Sequence, residues 1–225
     1  VSDPLTGKLK HCSHMMGVRE DWRGRGVGQR LKLAQREHAL AQELDLVTWT
    51  YDPLESLNAA LNIRKLGGIC SAYVRDLYGE MEDGLNAGLG SDRFQLEWPI
   101  ASARVAERLG GKCPRPSISE VLERGGVLLN PAEIGSDGLA QPSSTYSSPM
   151  SQVALVEIPA SIQSTKSRDM DLARRWRTHT RAIFEDCLSA GHTVTDFVSE
   201  VSLVEGAAEG IRRSYYVLQK GFEVD

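Results

Sequence analysis

Apolar and polar positions follow two periods along this chain, and the changes of period mark its elements. Residues 9 to 18, LKHCSHMMGV, are largely apolar or neutral and follow the turn residue Gly7, which predicts a strand. From Val27 the period becomes helical. Leu31, Ala34, His38 and Ala41 fall on one face with Leu33, Leu40 and Leu44 beside it, and Lys32, Arg36 and Glu43 take polar positions. LDLVTWTY, 44 to 51, is dense in β-formers and predicts a buried strand. DPLE then opens a second helix, with Asp52 as cap, Pro53 in the first turn and Glu55 three residues after the cap. That helix runs to Leu66 and stops at Gly67-Gly68. ICSAYVRDLY, 69 to 78, and RFQLEW, 93 to 98, predict two further strands across an acidic, glycine-punctuated loop, and a helix follows from Ile100 to Leu109.

Regular period is then lost. Residues 110 to 150 hold five prolines and the run QPSSTYSSPMSQ, which predicts a mobile connection with short ordered pieces. Beyond it, VALVEIP is a strand, 167 to 190 a long amphipathic helix turning Leu172, Trp176, Ile183 and Cys187 to a core, and HTVTDFVSEV and RRSYYVLQK two strands of a hairpin. This C-terminal strand-helix-strand-strand set is too small to be comfortably stable alone and is expected to pack on the preceding sheet or on a segment ahead of it. The chain opens on Val1 and an apolar strand with nothing folded before it, which predicts a preceding segment.

Composition narrows the function. The 225 residues are 41% hydrophobic and 25% charged, as in ordinary globular proteins. A net charge of −4 argues against a general nucleic-acid binder. No apolar run approaches the roughly 20 residues that span a membrane, so no membrane partner is expected. Cys12, Cys70, Cys113 and Cys187 are far apart with no CxxC pair, which reads as reduced thiols in a cytoplasmic protein.

One stretch carries chemistry. VREDWRGRGVGQ, 18 to 29, places Gly24, Gly26 and Gly28 with two arginines where a helix begins. Helix starts leave N–H groups without partners and carry partial positive charge, and glycines let a ligand approach that backbone. The turn is therefore a candidate anion cradle, for a pyrophosphate above all. The ordinary alternative is a tight turn that packs the helix closely on a sheet. A Rossmann fingerprint needs GxGxxG, and Gln29 follows Gly28 with the third glycine misplaced; a P-loop needs a terminal GK[ST], which is absent.

The order strand, RxxGxG turn, helix, strand, helix, strand, strand resembles the GNAT superfamily of acyl-CoA-dependent N-acyltransferases, whose cofactor signature is [QR]xxGx[GA]. Arg23, Gly26 and Gly28 fill that signature, and RKLGG resembles the family's YxKxGF helix-to-strand junction. The likeness covers residues 9 to 98. It implies an α/β (α+β) fold with a mixed central sheet and flanking helices over 1–109, a connection over 110–150 and an added α/β extension over 151–225. It also implies that backbone from Arg23, Gly24, Arg25, Gly26, Val27, Gly28 and Gln29 holds the pyrophosphate of coenzyme A or acetyl-CoA. In that fold the two parallel strands around the turn splay and the pantetheine arm lies in the gap. Met16 and Val18 would then offer main-chain groups to pantetheine and to the thioester carbonyl, where a donor stabilises the tetrahedral intermediate.

The same resemblance implies an acyl, chiefly acetyl, transfer to the amine of a small molecule, with a homodimer as one assembly open to it. The family's tyrosine acid falls at Ile63, which has no proton to give, and its cofactor-facing asparagine falls at Ser56, with Asn58 two residues on. Tyr51 and Tyr78, at strand ends, are the substitute acids, although strand tyrosines usually pack. His14, on the strand beside the thioester, is the candidate base. Glu20 and Asp21 would sit by the phosphates, where bases are less useful. His11 and His14, three apart on a strand, point to opposite faces and do not form a metal site. Glu80, Glu82 and Asp83 are candidate attractors of a cationic amine, and RRWRTHTR reads as a solvated helix face. Ile63 also leaves room for two other readings: a non-catalytic acyl-CoA-binding module, or an assembly role in which 151–225 packs on a partner.

Overall fold

The computed structural model describes residues 1–2, 7, 9–81, 87–111, 116–202 and 210–224. In chain order the elements are β1 (His11–Cys12), α1 (Val27–Leu40), β2 (Leu46–Tyr51), α2 (Ser56–Ala59), β3 (Ile69–Val74), β4 (Arg93–Pro99), α3 (Ala103–Leu109) and α4 (Ile118–Glu123). There follow β5 (Val127–Leu128), β6 (Glu133–Ile134), β7 (Ala140–Gln141), β8 (Val153–Ile158), α5 (Ile162–Arg168), α6 (Met170–Ser189), β9 (His192–Ser202) and β10 (Ile211–Lys220). Among the described residues eight strands form one sheet in the order β1-β2-β4-β3-β9-β10-β8-β5. Its two edge pairs, β1 with β2 and β5 with β8, are parallel, and every pairing between them is antiparallel. The fold class is therefore mixed α/β.

The C-terminal strands extend this sheet on the β3 side. The expected hairpin forms, Ile211 facing Ser202 and Lys220 facing His192. β3 meets β9 in a single register pair, Cys70 with Val194. Side chains carry the rest of that join. Phe94 of β4 packs edge-on against Phe184 of α6 at 4.7 Å and against Tyr216 of β10 at 5.5 Å, and Tyr216 meets Phe197 at 5.0 Å. α6 turns Leu172, Trp176, Ile183 and Cys187 inward as its period predicts, capped by Asp169, whose carboxylate accepts the Leu172 N–H.

Four expectations change. The first strand is two residues long, and the chain from His14 to Arg19 leaves the sheet without regular structure. α1 is turned by one position. Leu31 is 45% exposed and Ala34, His38 and Ala41 face out, while Lys32 and Ala39 are buried, because Lys32 and Gln35 satisfy each other's polar atoms against the sheet. The second helix starts late. Asp52 closes a turn by accepting the Leu54 N–H, Glu55 stands at the N-cap with its carboxylate bonded to Gln163 instead of capping the helix, and α2 continues as a π-helical turn, Ala60–Lys65. Gly67, with φ +79°, ends it as the glycine predicts. Finally, the stretch expected to be a mobile connection carries α4 to β7 and buries Leu129, Ala132 and Leu139 in the main core.

The aromatic seam makes a stability prediction. Phe94→Ala should cost about 3–5 kcal/mol by removing the ring that both halves of the sheet share. The urea midpoint should fall well below that of the wild type; an unchanged midpoint would mean that the join is held elsewhere.

Candidate functional site

The site is assembled where β1 and β2 part. Their ladder pairs His11 with Val47 and Cys12 with Thr48, and the Ser13 N–H donates to the Thr48 carbonyl at 2.8 Å. Beyond that bond β2 runs on through Trp49, Thr50 and Tyr51 while the chain after Ser13 leaves it. A gap thus opens at the C-terminal end of a parallel pair, next to the start of the helix that connects the two strands.

That start is the glycine turn. A 3₁₀ turn, Glu20–Trp22, precedes it, and Gly24 and Gly26 adopt φ +72° and +73°, a region that L side chains resist. Gly26 is the N-cap and no side chain caps the helix. The first ladder bond runs from Arg30 N–H to the Gly26 carbonyl at 3.1 Å, so the N–H groups of Val27, Gly28 and Gln29 have no intrahelical partner. A Cβ at Gly24 or Gly26 would meet nothing within 4 Å, whereas one at Gly28 would touch Leu61 and Met16. The space before the cap is open. Arg23 donates through Nε to the Val18 carbonyl at 3.1 Å, which occupies that carbonyl, and Arg25 lies over the exposed Trp22 ring. Met16 reaches toward Gly28, and Asn58 is exposed on α2.

The catalytic candidates fall in different places. His14 is exposed in the segment that leaves β1. Tyr51 is buried: its hydroxyl accepts from the Cys70 thiol at 3.9 Å and lies 3.4 Å from the Tyr216 hydroxyl, and burial pushes its ionisation well above the usual phenol range. Tyr78 is 56% exposed and its hydroxyl shares a proton with Thr50 at 2.9 Å, at the end of β2. Ile63 is 0% exposed in the core, and Ser56 donates to the Ala160 carbonyl, facing the C-terminal elements. His11 shares a hydrogen with Gln35, and burial, with the nearby charges of His38 and Lys32, lowers its pKa. Cys12 is exposed and Cys70 and Cys187 are buried, all three free, and Cys113, Glu82 and Asp83 lie outside the described residues. No group of three or more His, Cys, Asp or Glu among the described residues is placed to hold a metal ion.

Sequence reading missed two features. The first is Lys32, 3% exposed, with Nζ 3.4 Å from the centre of the Trp49 ring and donating to Ser13 Oγ at 3.2 Å and Gln35 Oε1 at 3.0 Å. Burial lowers its pKa to about 8. The second lies just past the C-terminal end of β2, where Arg177 and Arg181 of RRWRTHTR turn inward. Arg177 pairs with Asp52 at 2.5 Å, Arg93 stands 3.8 Å from the same carboxylate, and Arg181 grips Asp92 with two bonds of 2.7 Å. Burial opposes the charge on Asp92, but Arg181, the Tyr73 hydroxyl at 2.6 Å and the Asp76 N–H outweigh it and hold that carboxyl below its usual range. Next to this cluster is a cavity of about 750 Å³ with Asp76, Glu80, Met81, Leu89 and Arg174 in its wall. No spacing in the sequence signals these partners, since Arg177 and Asp52 are 125 residues apart.

Lys32 gives a pH prediction. Its amine binds fewer protons in the folded than in the unfolded chain between pH 8 and 10.5, so its stability cost is full below about 8 and is relieved as pH rises toward 10.5. Lys32→Met should melt higher than the wild type at pH 7, and that advantage should narrow above pH 8. A constant difference across this range would mean that the amine titrates normally.

Comparison with protein-family models, with curated proteins and with solved structures found no match, so the chemistry of this site stands on its own residues.

Proposed function

We propose that the chain is an acyl-CoA-dependent N-acyltransferase of the GNAT type that moves an acyl group, acetyl foremost, to an amine of a small molecule. The observation that carries this reading is the uncapped glycine turn at the mouth of a parting parallel strand pair. Gly24 and Gly26 serve no close packing, because side chains there would project into open space, and Gly28 alone of the three lies against neighbours, Leu61 and Met16. It presents three N–H groups and the positive end of α1 to whatever enters there, which suits a pyrophosphate. Arg23, held at Val18 by Nε alone, and Arg25 at the rim add charge for it.

Pantetheine would run from this turn into the gap beside β2, along Met16 and Val18. The acceptor nitrogen attacks the thioester carbonyl directly: a C–N bond forms, the C–S bond breaks and the coenzyme thiol leaves. His14 is the base of this reading, since it alone of the histidines stands exposed where the chain leaves β1. The cavity of about 750 Å³ at the same end of the sheet has the size of a small-molecule site, and Asp76 and Glu80 suit a cationic amine. No helix among the described residues is long and apolar enough to cross a membrane, and a cytoplasmic setting goes with this chemistry.

A second reading, a non-catalytic acyl-CoA-binding module, draws on Ile63 and Tyr51. Both lie in the core, so neither supplies an acid to the gap. Release of thiol from acetyl-CoA against a panel of amines separates the two.

Gly26→Val tests the cradle. The substitution puts a β-branched side chain at φ +73° before the helix start, and the strain costs on the order of 1–2 kcal/mol. Calorimetry should show loss of coenzyme A binding in a protein that remains folded. Wild-type affinity in the variant would place the pyrophosphate elsewhere.

A further inference from the structure

The amine of Lys32 is a buried titratable group that the mechanism above leaves unused. No carboxylate pairs with it among the described residues, and its contacts are the Ser13 hydroxyl, the Gln35 amide oxygen and the face of Trp49. Two of these bracket the point where the strands part. Ser13 makes the last bond from the β1 side, to Thr48, and Trp49 is the next residue of β2. Ser13 is half-buried and Lys32 almost wholly buried, and the Ser13 hydroxyl that accepts from the amine at 3.2 Å is the more exposed of the two.

We propose that Ser13 and Lys32 form a proton relay that protonates the departing thiolate of acyl-CoA, the task for which Ile63 offers no group. This rests on the acyltransferase reading. As the tetrahedral intermediate collapses, the C–S bond breaks and its electron pair stays on sulfur. Ser13 Oγ gives its proton to that sulfur and takes one from the Lys32 ammonium. His14 takes the extra proton of the attacking nitrogen and passes it to solvent, and solvent returns one to Lys32, so the net transfer is one proton from amine to thiol. Ser13 is the catalytic residue, and Lys32, acting through it, is a positioning residue.

The chemistry is matched. Burial brings the lysine to about 8, within the range of ordinary thiols, and an acid does most when its pKa lies near that of the group it serves and near the working pH. The two acceptors and the Trp49 ring keep the amine protonated at neutral pH. Among the described residues His11 on β1 stands across Gln35 from it, and His38 on α1 and the exposed amine of Val1 act in turn on His11.

The test uses acetyl-CoA and a weakly basic primary amine whose own titration is complete well below neutral pH. Coenzyme A binding by calorimetry and thiol release from pH 6 to 10 are measured for the wild type, Ser13→Ala, Lys32→Met, Lys32→Arg and the Ser13→Ala/Lys32→Met double variant. All should bind coenzyme A alike. The wild-type kcat should carry a limb that falls above pH 8, and each single variant should lose that limb together with about 10²-fold in kcat at pH 7. The double variant should be no slower than the single ones. Arginine keeps the charge and the hydrogen bond but does not titrate near 8, so it rescues a structural lysine and not a relay. Wild-type rate and profile in Lys32→Arg, or an unchanged rate in Ser13→Ala, would overturn the relay and leave the acyltransferase standing. A wild type that neither binds coenzyme A nor releases thiol overturns that reading, and the relay with it.

Discussion

The sheet is joined at its middle by one register pair, Cys70 with Val194, and everything built across that line depends on the aromatic seam beside it. A single pair of residues contributes little ladder, so Phe94, Phe184, Phe197 and Tyr216 supply the cohesion through edge-to-face packing and burial. The Tyr216 hydroxyl then bonds the Pro53 carbonyl at 2.8 Å, which ties β10 to the turn after β2. The end of β2, where the gap opens, is therefore fixed by C-terminal elements.

Charge does the same work at longer reach. Asp52 receives Arg177 from α6 and lies beside Arg93 from β4, while Asp92 is gripped by Arg181 and Tyr73. Buried pairs of this kind add little net stability, yet removing one partner strands the other charge at a cost of about 3–5 kcal/mol. They select one seating of α6 against the sheet. Two nitrogens of Arg177, Nε and Nη1, are buried without a hydrogen-bond partner, so the seat is specific rather than optimal.

Much of this was legible in the sequence. The periods of β2, β4, α6 and the β9–β10 hairpin are strong, and the stop at Gly67 acts through local chemistry that a sequence displays, whereas the helix expected from 167 starts at Met170 behind an Asp169 cap that its period did not single out. The face of α1 was not legible. Hydrophobic period favours Leu31, Ala34 and His38, but Lys32 and Gln35 turn inward because Ser13, Trp49 and each other satisfy their polar atoms. The cluster around Asp52 and Asp92 was hidden for a related reason: RRWRTHTR reads as a solvated face until the topology brings carboxylates to it. Tyr51 shows the opposite limit. Its place at a strand end suggested a pocket, and the sheet that grows beyond β3 buries it.

The central claim is that the amides at the start of α1 hold the pyrophosphate of coenzyme A. Backbone amide resonances followed during titration with coenzyme A test it most directly. The largest shifts should fall on Arg23 to Gln29, with smaller ones along Met16, Val18 and the end of β2. Shifts confined to other parts of the molecule, or none at saturating coenzyme A, would contradict it.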